Sequence, residues 1–260
     1  MINYKSISLI YGIMLILIVL VSLYCGIFYW GLFIIWFLAV LLVYSLGIIL
    51  ICGNFYTSVI CKAKTNEKVL SLSFDDGPDK VITPQILNIL KTNNIKATFF
   101  IIGEKAEKNP EIIKRIHSDG HLIGNHSYRH GFWFDMKCKS KMIKEMQKTD
   151  QVIKEIISKE LNLFRPPYGI TNPPLARAIK KMDYKVIGWN IRSFDKSNKS
   201  VDRIVKCVSR KMKAGSIVLL HDDHKNILEI LEGVIKEAQK KSYIFAPLDK
   251  MLNINAYKND

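Results

Sequence analysis

The chain has 260 residues, enough for one large domain or two small ones, and a formal net charge of +15 from 38 basic and 23 acidic side chains. Its five cysteines include no Cys-x-x-Cys pair, so no thiolate zinc site or redox dithiol is signalled, and no nucleic-acid recognition module accompanies the positive charge. Lys, Ile and Asn are abundant together, so composition accounts for much of that charge, although a basic surface beside a bilayer would also draw anionic headgroups or phosphate-linked substrates.

From Ser6 to Cys61 there is no charged residue. Residues 7–28 and 32–51 are each long enough to cross a bilayer, which takes about 20 apolar residues. Tyr29-Trp30-Gly31 between them suits a membrane–water interface, so residues 1–53 read as a hairpin anchor with two spans. A cleavable signal peptide fits poorly, because the apolar stretch is too long and no Ala-x-Ala site follows it. A lipoprotein anchor at Cys25 or Cys52 would want a small preceding residue, where Tyr24 and Ile51 stand. A hairpin puts both ends on one side. Lys5, Lys62, Lys64 and Lys68 flank the spans and the turn between them has no lysine, which places the soluble domain in the cytoplasm; a single span would reverse this. Cys25 and Cys52 fall in the spans, Cys61 at the membrane exit, and Cys138 and Cys207 far apart, so no disulfide is expected and a reducing compartment is compatible.

Residues 54–66 read as a short polar linker, 67–252 as a catalytic domain and 253–260 as a tail. Within the domain, apolar runs of strand type alternate with amphipathic helical patterns. The strands fall at Val69–Phe74, Ala97–Ile102, Leu122–Gly124, Leu163–Arg165, Val186–Asn190, Ile217–Leu220 and Tyr243–Ala246. The helices fall at Pro84–Thr92, Pro110–Ser118, Lys139–Ile157, Pro173–Lys181, Val201–Met212 and Asn226–Lys241, three of them with a proline suited to the first turn. Such alternation predicts an α/β fold around a parallel sheet, open or closed into a barrel, with chemistry at the carboxyl ends of the strands. Asp75 and Asp76, Arg165, Asn190 and His221 each close a predicted strand.

Asp75-Asp76-Gly77-Pro78 sets two carboxylates at a strand end, where burial is costly unless a partner offsets it. His126 and His130 are four apart, so on a helical turn both imidazoles would face one way. With Asp76 they make a two-histidine, one-carboxylate set with open positions, suited to Zn²⁺, with Co²⁺, Mn²⁺, Ni²⁺ or Fe²⁺ as substitutes. His121 fits ordinary hydrogen bonding at a strand start better than ligation. Phe164-Arg165-Pro166-Pro167-Tyr168-Gly169 reads as a rigid loop whose arginine can clamp a carboxylate. Ile217-Val218-Leu219-Leu220-His221-Asp222 delivers a histidine to a dry strand end, where it can act as a general acid.

In this order the segments closely resemble the NodB-type polysaccharide deacetylases, carbohydrate esterase family 4, over roughly residues 66–250. The resemblance implies a distorted (β/α) barrel of about seven strands and metal-dependent removal of N-acetyl groups from amino sugars. By motif, Asp75 would be the general base, Asp76, His126 and His130 the metal ligands, Arg165 the residue orienting Asp75, the Tyr168 N–H an oxyanion donor, and His221 the general acid. One segment departs from the family pattern: in Trp189-Asn190-Ile191-Arg192-Ser193-Phe194-Asp195-Lys196, Arg192 takes the position of the Asp that normally supports the histidine and Lys196 that of a Trp. Asp195 is the candidate substitute. The reading is a membrane-anchored N-acyl-saccharide amidase acting on a polysaccharide, peptidoglycan or a lipid-linked saccharide; the alternative, which Arg192 favours, is a catalytically silent carbohydrate-binding scaffold.

Overall fold

A computed structural model describes residues 4–224 and 226–258; the first three residues of the predicted anchor and the last two of the predicted tail lie outside the described residues. Two helices, α1 (Tyr4–Cys25) and α2 (Trp30–Ile49), run antiparallel, with Ser8 beside Tyr44 and the Trp36 indole donating to the Tyr11 carbonyl. Both are long and apolar enough to cross a membrane by length and composition, and most of their Leu, Ile and Phe side chains are exposed.

The segment after α2 departs from the linker expected at 54–66. Phe55, Tyr56, Val59 and Ala63 are buried, Ile60 bridges Ile187 and Lys62 bridges Ser216, so this strap is part of the domain's packing. Asn54 turns in the left-handed region (φ 53°) and its Oδ1 accepts from the Val59 N–H, folding the strap back on itself. That return brings the Cα atoms of Cys52 and Cys61 to 5.8 Å, and the two form a disulfide. The expectation of no disulfide is therefore corrected: a local turn, invisible in cysteine spacing, makes the pair. Cys25, Cys138 and Cys207 are free.

The domain then alternates β1 (Val69–Gly77), α3 (Ile82–Thr92), β2 (Thr98–Ile101), α4 (Gly103–Lys108), α5 (Pro110–Ser118), β3 (Leu122–Asn125), α6 (Lys139–Ile157), β4 (Leu163–Phe164), α7 (Pro173–Met182), β5 (Lys185–Val186), β6 (Ile191–Arg192), α8 (Val201–Lys211), β7 (Ser216–His221), α9 (Ile227–Lys240), β8 (Ile244–Phe245) and α10 (Leu248–Leu252). Seven parallel strands follow the order β5-β4-β3-β2-β1-β7-β6 and curl into a distorted barrel left open between its end strands, while β8 pairs with the start of β1. β1 reads Val-Leu-Ser-Leu-Ser-Phe because both its faces are covered; residues 69–75 are all buried. In α6, Met142, Met146, Thr149 and Ile153 form a buried stripe against the core. Parallel pairing of β1 with β2 and β7, of β2 with β3 and of β3 with β4 brings the carboxyl ends carrying Asp75, Asn125, Phe164 and His221 to one rim.

Peptide mapping without reductant should recover Cys52 cross-linked to Cys61. The Cys52→Ser, Cys61→Ser double variant should lose about 2–3 kcal/mol of stability, the entropy of closing so short a loop, read as a lower thermal midpoint.

Candidate active site

In a regular strand Asp75 and Asp76 would point to opposite faces. β1 avoids this with a bulge: Asp75 pairs with Phe100 and Gly77 with Ile101, so Asp76 is the extra residue and turns at φ 73°. Both carboxylates thereby reach one cleft. Gly77 is obligatory here, because a Cβ would lie 2.1 Å from Oδ2 of Asp222, a fully buried acid that accepts from Thr83 and that burial pushes up to about 7.

Arg165 closes the inner side. It is fully buried at the end of β4; Nη1 donates to Asp75 Oδ1 (2.6 Å) and Ser73 Oγ (2.9 Å), Nη2 to the Gly188 carbonyl and Nε to the Ile187 carbonyl, and the guanidinium stands 4.0 Å from the Phe100 ring centroid. Burial alone would lower the Arg165 pKa; the Asp75 carboxylate works against that. The Arg165 carbonyl also fixes a histidine. It can only accept, so the 2.8 Å contact places a proton on His126 Nδ1 and leaves Nε2 free toward the cleft.

His126 and His130 do not share the helical turn expected from their spacing. Residues 126–130 form an irregular loop in which Ser127 (φ 65°) and His130 (φ 49°) are left-handed and Ser127 Oγ accepts from the His130 N–H. The loop still aims both rings at Asp76: His126 Nε2 lies 3.5 Å and His130 Nε2 3.3 Å from Asp76 Oδ1. That oxygen is buried with no hydrogen-bond partner among the described residues, and the three ligand atoms lie within 4.8 Å of one another. Metal–ligand bonds of about 2.0–2.1 Å put tetrahedral donors roughly 3.3–3.4 Å apart, so the set fits a divalent cation such as Zn²⁺. Burial opposes ionisation of Asp76, but His126, His130 and Lys196 outweigh it and hold the acid well below the usual carboxylate range; burial, then His126, pushes His130 down to about 4.

Across the cleft His221 ends β7 beside Asp75. Asp195, buried, accepts from the His221 N–H (2.7 Å) and contacts its Nδ1 (2.8 Å), while Ser193 Oγ donates to the same carboxylate. Burial opposes the imidazolium, yet Asp195 raises the His221 pKa above its usual value. Arg192 instead lies exposed at the cleft edge, 5.2 Å from the Phe194 ring. Tyr168 sits at φ 58°, its N–H makes no hydrogen bond among the described residues, and its ring packs edge-on to His130. These side chains line a cleft of about 360 Å³.

Two residues singled out in the sequence belong elsewhere. Asn190 pairs with Ser216 and Ile217 at the start of β7, far from the rim, and His121 is a buried core residue whose Nδ1 accepts from the Ala97 N–H. One functional group went unread. Lys196 Nζ donates to Asp76 Oδ2 (2.6 Å) and pairs with Asp223 (2.8 Å), leaving Oδ1 as the oxygen turned to the histidines. Its only signal was a lysine where the family pattern has a tryptophan.

The polysaccharide deacetylase profile matches residues 62–187. A peptidoglycan-N-acetylglucosamine deacetylase of Bacillus cereus is 33% identical over 202 residues, 75% of this chain and 92% of the relative. The crystal structure of a peptidoglycan N-acetylglucosamine deacetylase superposes with a TM-score of 0.71 at 30% identity, covering 76% of this chain and 94% of the other. A carbohydrate esterase family 4 pseudoenzyme from Bacillus anthracis superposes at 0.70 with 26% identity, covering 75% and 69%.

Replacing Arg165 by Met should destabilise the fold by about 3–5 kcal/mol, because Asp75 would be left as an unpaired buried charge. Chemical denaturation checks this. The Asp75→Asn, Arg165→Met pair should recover part of the loss, as expected when the penalty belongs to the orphaned carboxylate.

Proposed function

Because this chain belongs to the polysaccharide deacetylase family, whose members are hydrolases that remove N-acetyl groups, we propose that it is a membrane-anchored, metal-dependent deacetylase of N-acetylated amino sugars in peptidoglycan. The observation that carries this reading is the unpartnered Asp76 Oδ1 facing two imidazole nitrogens, with Asp75 beside it held by arginine rather than by the ligand set. The peptidoglycan deacetylase relative, covered over 92% of its length, supports the substrate.

A cation held by Asp76, His126 and His130, with Zn²⁺ first among the candidates, would supply Lewis acidity and a more acidic water. Asp75 takes the proton of the attacking water, its Oδ1 fixed by Arg165 so that Oδ2 faces the cleft. The Tyr168 N–H donates to the amide oxygen as charge builds on it. His221, oriented by Asp195, gives a proton to the leaving amine. The silent-scaffold alternative drew on Arg192; the contacts of Asp195 with the His221 backbone N–H and ring Nδ1 favour the catalytic reading.

The disulfide supports an extracytoplasmic side. Structural disulfides persist in oxidising compartments, so Cys52–Cys61 favours a domain outside the cytoplasm, where peptidoglycan lies, against the direction of the four lysines. A topology reporter fused after Asp260 should signal from outside.

Acetate release from N-acetylated peptidoglycan fragments should vanish with chelator and return with Zn²⁺. Asp75→Asn should lower kcat by about 10²–10⁴-fold while bound metal stays stoichiometric; a variant with unaltered turnover would overturn the assignment. His221 must be protonated to act, and its pKa lies above the usual 6.5, so activity should be lost only as pH rises through that raised value. Asp195→Asn should move this alkaline limb to lower pH, seen in the pH profile of kcat/KM.

A further inference from the structure

Outside the hairpin, the densest group of exposed large apolar side chains among the described residues is one short loop: Phe132 is 74% exposed, Trp133 65% and Met136 78%. The loop follows His130 directly, and nothing in the domain covers it. Its position relates it to the hairpin. Asn172 Nδ2 donates to the Asp135 carbonyl within the loop, and the neighbouring Thr171 donates its N–H to Ile48 and its hydroxyl to Gly47, the last turn of α2. The loop is thus one residue removed from the point where the second helix meets the domain. Tyr4, which opens α1, bonds through its N–H to the Phe55 carbonyl at that same end.

Charge follows the same geography. Lys141 and Lys144 are exposed behind the loop on the first turns of α6, and Arg177 and Lys180 are exposed on α7 beside the strap. The acid within the loop, Asp135, has its Oδ1 buried. Aromatic tips backed by basic residues are what an anionic bilayer surface accepts, the rings at headgroup depth and the lysines among the phosphates.

We propose that the loop bearing Phe132, Trp133 and Met136 is a third membrane contact, docking into the bilayer interface beside the two-helix anchor. The inference rests on the anchor reading. With the loop so placed, the cleft edge formed by His130 and Tyr168 sits at the bilayer surface, and the domain is held in one orientation rather than swinging on a tether. The enzyme then receives N-acylated saccharide that lies against the membrane.

The test uses the full chain in nanodiscs of mixed zwitterionic and anionic lipid, prepared either with ordinary or with dibrominated acyl chains. One variant keeps Trp133 alone (Trp30→Phe, Trp36→Phe, Trp189→Phe); a second, Trp133→Phe, keeps Trp30 and Trp36 of the hairpin. Trp133 should lose most of its fluorescence in the brominated discs. Quenching of the second variant but not of Trp133 overturns the docking and leaves the anchor intact, as a sugar-binding role for these aromatics would give. Loss of quenching in both overturns the anchor and the docking together. A protein altered by the triple substitution is controlled by the wild type, whose quenched fraction must exceed that of Trp133→Phe; equal fractions overturn the proposal.

Discussion

The buried ion pair of Arg165 and Asp75 is the constraint around which the rest is arranged. A guanidinium at zero exposure is tolerable only if its donors are spent, and here they reach β1 and the two carbonyls just beyond β5, those of Ile187 and Gly188. The same residue uses its own carbonyl to set the His126 tautomer. Asp75, the proposed base, and His126, a proposed ligand, are therefore positioned by one side chain and one backbone oxygen of a single residue. A displacement of β4 would disturb both halves of the chemistry together.

The second constraint is the bulge. It converts two neighbouring acids, which a regular strand would split between core faces, into two groups sharing a cleft with different partners. Asp75 faces an arginine; Asp76 faces two imidazoles and a lysine. The difference in environment, not in residue type, separates the proposed base from the proposed ligand.

Much of this was legible in the sequence. The strand-and-helix alternation gave the parallel sheet, and α5 and α6 match their expected bounds because proline at the first turn and an apolar stripe mark them. Asp75, Asp76, His126, His130, Arg165 and His221 converge because each terminates or follows a strand on one rim. What escaped reading was conformational. The left-handed Ser127 and His130 that replace a helical turn, the Asn54 reversal that joins Cys52 to Cys61, and the short strands β5 and β6 all depend on local dihedrals or single hydrogen bonds that leave no periodic trace. Asp195 was only a candidate, since its two contacts to His221 depend on how residues 193–196 turn back toward β7. Lys196 escaped because a cation close to Asp76, His126 and His130 has meaning only once Asp76 Oδ1 and Oδ2 can be told apart.

The strap has a bearing on where this protein can be cut. Ile60 and Lys62 extend pairing to Ile187 and Ser216, and a Cβ on Gly188 would lie 2.7 Å from Cys61 Sγ, so the strap lies against the very backbone whose carbonyls hold Arg165. A soluble fragment beginning at residue 67, the boundary that strand patterning alone recommends, would uncover the far side of the carbonyls that hold Arg165. The excisable unit begins upstream of Cys52, and what resembles a tether backs the strand-end carbonyls on which Arg165 rests.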